Sequence, residues 1–166
     1  SAEGGLPAVP ASVPPVVPRW VARRAGGSRP VPAPIAELPP PLMSVISDSI
    51  GSDARRIAVR VRPGAAVLAL ELSVDSATVL SAAVSGRGID RSRYRRASSR
   101  WTLQFVAPAD SGFTLEIVVP AGARPILNVV SMRAGIPAAI VIPPRPVGLL
   151  ASQNGDISLA FGRLAL

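Results

Sequence analysis

From residue 42 onward, short runs of β-branched and apolar residues alternate with polar ones, and turn residues separate the runs at nearly regular spacing. This is the pattern of an all-β sandwich, in which each strand turns one face to a core and the other to water. The runs predict strands over residues 42–47, 55–62, 67–72, 78–85, 100–106, 113–119, 126–132, 138–142 and 156–162. Three show the alternation most cleanly. Ile57, Val59 and Val61 share a face opposite Arg56, Arg60 and Arg62. Trp101, Leu103 and Phe105 oppose Arg100, Thr102 and Gln104, and Phe113, Leu115, Ile117 and Val119 oppose Thr114, Glu116 and Val118. The punctuation agrees, since SIGSD, RPGAA, APADSG, PAGARP and SQNGD put Gly, Pro, Asn and Asp where turns need them. The large residues between 101 and 119 are expected to form the centre of the core.

Before residue 42 no periodicity of either kind is present. Eleven of the 19 prolines fall in residues 1–41, in GLPAVPASVPPVVP, in RPVPAPIAELPPP and around them. Proline lacks the amide donor that helix and sheet interiors require, so this segment is an arm with a preference for extended polyproline II. Two readings of it stand side by side. One is a disordered linker. The other is an extended segment ordered by being clamped between partner chains, with Val16, Val17, Trp20, Ile35 and Leu38 as apolar anchors and Arg19, Arg23, Arg24 and Arg29 as charge contacts. The expected architecture is an immunoglobulin-like antiparallel β-sandwich over residues 42–166, preceded by the arm of residues 1–41.

Composition narrows the chemistry. Among 166 residues there is no cysteine and no histidine, which removes disulfides, thiol nucleophiles, Ser-His-Asp machinery and the usual zinc ligands together. The ten acidic residues are scattered, and no spacing among them suggests a catalytic pair. The chain is therefore expected to be non-catalytic and to need no cofactor or metal. All 18 basic residues are arginine, giving a net charge of +8. Guanidinium groups hold carboxylates and phosphates in two-pronged hydrogen bonds, so an anionic partner surface fits, whether acidic protein, lipid head group or nucleic acid. Apolar stretches such as AGIPAAIVIPP are broken by proline well short of the roughly 20 residues that span a bilayer. The opening SAEGG is what an A-x-A type cleavage would leave at the start of an exported chain.

The densest charge lies in RGIDRSRYRRASSRW, residues 87–101, with six arginines. Nucleic acid would want aromatics free to stack beside such a groove. Alternation assigns Trp101 to the buried face and leaves Tyr94 alone, so nucleic acid is the disfavoured partner. The stretch reads instead as a connecting loop, solvated, lipid-facing or in contact with protein through Arg91, Arg93, Tyr94, Arg95 and Arg96.

The order of motifs in the second part of the chain resembles a known family. A proline-rich lead-in precedes a first strand followed by Asp48. A W-x-L-x-F strand (Trp101, Leu103, Phe105) then runs into a Pro/Gly turn and G-x-x-L-x-I (Gly112, Leu115, Ile117). Gly135-Ile136-Pro137 follows, and a closing strand carries Asp156, Ile157, Ser158 and Leu159. Over about residues 39 to 166 this is similar to the C-terminal β-sandwich of bacterial membrane-anchored zinc aminopeptidases, relatives of the vacuolar membrane protease. The resemblance concerns the accessory domain of that family and implies an exported, periplasm-facing sandwich associated with a membrane protein. The two-metal site belongs to a separate catalytic domain, and no residue here matches it.

Three functional classes follow. The first is a non-catalytic exported subunit on the periplasmic face of a respiratory, photosynthetic or transport complex, its arm threading between protein subunits. The second is the accessory domain of a membrane-anchored zinc aminopeptidase. The third, a module for anionic lipid or carbohydrate, is disfavoured by how few aromatics there are to stack on a sugar.

Overall fold

The computed structural model describes residues 38–90, 101–141, 147, 148 and 156–166. These form nine strands and no helix: β1 (Leu42–Ile50), β2 (Ala54–Arg62), β3 (Val67–Asp75), β4 (Ser81–Val84), β5 (Arg87–Gly88), β6 (Trp101–Val106), β7 (Phe113–Pro120), β8 (Ile126–Ala134) and β9 (Ile157–Ala165). One sheet has the order β1-β2-β7-β4-β5 and the other β6-β3-β8-β9, with every described pairing antiparallel. The two sheets face each other across a single apolar layer, so the molecule is an immunoglobulin-like β-sandwich. The sheet orders correspond to A-B-E-D and G-F-C-C′ of that fold. One difference stands out, because the strand in the D position, β4, precedes rather than follows the strand in the C′ position, β6.

Period-two patterning explains the core. Ile57, Val59 and Val61 of β2 are buried and lie across from the buried Ile117, Leu115 and Phe113 of β7, and Val119 is buried with them. Leu70, Leu72 and Val74 of β3 oppose them, beside Leu127 and Val129 of β8. The expected centre at residues 101–119 is correct for Trp101, Phe113, Leu115, Ile117 and Val119. Leu103 and Phe105 point inward but stay half-exposed, because β6 is an edge strand with a neighbour on one side only. Phe105 packs on Phe113, with ring centroids 4.8 Å apart.

Of the strand expected over 138–142, the described residues 138–141 form none, and residue 142 lies outside the described residues. The amide of Ile140 donates to the carbonyl of Pro137 at 2.8 Å, Ala138 and Ala139 occupy a turn, and Val141 is 90% exposed. Proline at 137 and 143 brackets the run and denies it the donors a ladder needs. Conversely, a short strand, β5, was hidden in the arginine-rich stretch. It pairs Val84 with Arg87 and Ala83 with Gly88 around a two-residue turn in which Ser85 and Gly86 both have positive φ, of 48° and 77°. That is the turn geometry whose twist matches a hairpin.

Glycine is essential where β7 begins. Gly112 has φ of +78°, and a Cβ there would lie 2.1 Å from the carbonyl oxygen of Val61. Any side chain would push β7 away from β2.

Candidate docking surface

Two arginines close the sandwich at its opposite ends, and between them runs an uncovered edge. At one end Arg55 of β2 grips Asp48 of β1 with Nε to Oδ1 at 2.8 Å and Nη2 to Oδ2 at 2.5 Å, while its Nη1 donates to the carbonyl of Ala123 in the β7–β8 turn at 3.0 Å. One guanidinium thus ties together β1, β2 and the turn that crosses between sheets. Hydrogen bonds from Arg55 hold the Asp48 carboxyl below its ordinary value of 3.8, against a smaller opposing effect of desolvation. Asp48, expected just after the first strand, lies within β1 and is the partner of Arg55.

At the other end lies the root of the arm. Nη2 of Arg133, from the last turn of the β8 ladder, donates to the carbonyl of Pro39 at 3.0 Å and approaches that of Pro63, between β2 and β3, at 3.5 Å. Pro41 is buried against β9. Its carbonyl and ring, with the Met43 methyl, come so close to Gly162 that a Cβ there would sit 2.9–3.2 Å from them. The missing side chain at Gly162 is what lets the chain enter β1 beside β9.

Between these clasps β1 forms the edge of its sheet, and nearly its whole length faces solvent. Leu42, Val45, Ile46 and Ile50 are 65%, 45%, 57% and 68% exposed. The register slips between Val45 and Ser47, so Ile46 is a bulge. Before the bulge Met43 and Val45 share the inward face with Val61 and Val59, and after it Asp48 does so with Ile57. Outward, β1 shows Leu42, Ser44, Ser47 and Ser49, which lie across from Arg62, Arg60, Ala58 and Arg56 of β2. Arg56 and Arg62 are exposed, whereas Arg60 leans away and donates to the carbonyl of Ser111 at 2.6 Å.

The partner residues expected from sequence fall mostly outside this picture. Val16, Val17, Arg19, Trp20, Arg23, Arg24, Arg29 and Ile35 of the arm lie outside the described residues, as do Arg91, Arg93, Tyr94, Arg95 and Arg96. Leu38 is described and is half-buried just before the root. The strip on β1 and the clasp at Arg133 were not picked out from sequence. A signal for the strip existed, because LMSVISDSI keeps apolar residues but breaks strict alternation at Ile46, where the bulge sits.

Among the described residues no three metal-ligating side chains lie together, and no helix is long and apolar enough to cross a membrane. No protein-family model matches the chain, and no curated protein matches it.

Proposed function

We propose that the chain is a non-catalytic, exported structural subunit that packs on the periplasmic face of a larger membrane protein complex, its proline-rich arm reaching between the other chains. The observation that carries this reading is the arm's root. A loose linker needs no fixed point of departure, yet Pro39 and Pro41 are held by Arg133 and by the close approach at Gly162. Such an anchor fixes the chain at Pro39 and Pro41 beside an apolar edge, and a fixed base lowers the cost of ordering an arm on a neighbour. The all-arginine charge suits acidic protein surfaces and lipid head groups on such a complex.

A second reading, the accessory sandwich of a membrane-anchored zinc aminopeptidase, is favoured by the places that the motif residues take. Trp101 and Leu115 are buried in the core, and Gly112 makes the close approach to β2. Asp48 closes one end of the sandwich through Arg55.

Gentle detergent extraction of native membranes, size-exclusion chromatography and mass spectrometry of the co-migrating chains separates the two readings. The subunit reading expects co-elution with a stoichiometric set of membrane proteins. Recovery of these peptides only within a much longer polypeptide that carries a peptidase domain would replace it with the second reading. Elution as a lone small protein contradicts both.

A further inference from the structure

We propose that the β1 edge is a strand-addition site that takes an extended segment of a partner protein in which apolar and acidic residues alternate. This deepens the subunit reading above and rests on it. Three features of the edge converge. First, among the described residues β1 has a strand on one side only, and its nine residues lack the lysine or proline with which exposed edges usually discourage pairing. Its guards are the inward-facing Asp48, held by Arg55, and the bulge at Ile46, which leaves four paired residues on each side, Leu42–Val45 and Ser47–Ile50. Second, the exposed Leu42, Val45, Ile46 and Ile50 provide apolar contacts along it. Third, charge selects the partner. The acid on β1, Asp48, is neutralised by Arg55, so the edge itself does not repel carboxylates.

Behind the edge, one strand further in, the exposed Arg56 and Arg62 point to the same outward face as Ser49 and Leu42. An added strand would lie roughly 10 Å from β2, twice the interstrand spacing. Arginine and glutamate side chains together cover that distance, provided the strand between them is low. On that face β1 carries Ser44, Ser47 and Ser49, so the path from Arg56 crosses only a serine, while the path from Arg62 passes beside Leu42. Two bound carboxylates would sit about six residues apart on the incoming strand, matching the separation of Arg56 and Arg62. The same charges weigh against a second copy of this chain, because β1–β1 pairing would bring two sets of Arg56 and Arg62, each on a chain of net charge +8, into one short sheet.

The test uses the full chain and labelled synthetic peptides: one alternating Glu and Val, one alternating Lys and Val, and the acidic peptide with two interior prolines. Fluorescence anisotropy at low ionic strength measures binding. The site predicts that the acidic peptide binds at least about tenfold more tightly than the lysine peptide, that proline abolishes binding, and that Arg56→Glu with Arg62→Glu reverses the preference. Because both arginines are exposed, the double variant should melt as the parent does. Equal binding of the two charged peptides, or acidic binding that ignores the double variant, overturns the proposal. So does a concentration-dependent dimer that Ile46→Lys dissolves, which would make a second copy the occupant. Loss of peptide binding alongside intact co-elution with membrane proteins discards the edge and keeps the subunit reading. Binding without co-elution keeps the edge and discards the subunit reading.

Discussion

At the scale of single residues the fold makes three sharp demands. Trp101→Ala removes a buried indole and should lower stability by about 3–5 kcal/mol, while Phe105→Ala, half-exposed on an edge strand, should cost less, in a urea titration of each. Gly112→Ala combines a left-handed backbone with a clash against the Val61 carbonyl and should cost about 2–4 kcal/mol by the same measurement. Asp48→Asn breaks the grip of Arg55. Because the pair is partly solvated, the loss should be no more than about 1 kcal/mol near neutral pH. Its pH dependence follows from the depressed carboxyl. The contribution is present above the ordinary value of 3.8 and disappears as pH falls through the lower folded value, so parent and variant melts should converge in acid. A gap between them that persists at the lowest pH would place the effect in packing rather than charge. Much of this scale was legible beforehand. Alternation placed Ile57, Val59, Trp101 and Leu115 on the buried face, since burial acts on every second residue of a strand. The bonds of Arg133 to Pro39 and Pro63 and of Arg55 to Ala123 were not legible, because they join residues far apart in sequence through geometry that only the assembled sheets create, and the Arg55–Asp48 pair, seven residues apart, depends on the bulged register of β1 on β2.

At the scale of elements, legibility depended on whether local pattern and pairing told the same story. Both did for β2 and β7, where each strand has neighbours on both sides and clean period two. They diverged for β1, whose alternation is interrupted by its bulge and whose last three residues, Asp48 to Ile50, continue the ladder beyond the apolar run. They diverged again at residues 138–141, where an apolar run reads as a strand but the chain after Pro137 makes a turn. β5 was hidden because Arg87 and Gly88 carry no strand propensity and are held only by the hairpin. The arm's root makes a prediction at this scale. Arg133→Ala frees the carbonyls of Pro39 and Pro63, so hydrogen exchange should accelerate at Leu42 and Gly64 while amides in the middle of β7 keep their protection. Uniform acceleration across the sandwich would instead make Arg133 a global stabiliser.

At the scale of the whole molecule, the sandwich closes its core with its own strands, and its surface has two poles joined by an open edge. Arg55 and Asp48 lock one end, Arg133 and Pro39 lock the other, and β1 runs between them with apolar side chains in water and arginines behind it. A monomer meant to act alone would have little use for an arm that is nailed down at its base and left proline-rich along its length. The proposed function assigns folding to the sandwich and the finding of neighbours to the arm and edge. The measurement that tests this most directly compares the full chain with a version lacking residues 1–37, which retains the root at Pro39, both expressed in the native source. The account predicts that both fold with closely similar melts and that only the full chain is extracted with its membrane partners. If the shortened chain enters the complex at full occupancy, the arm does not assemble the subunit and the account fails.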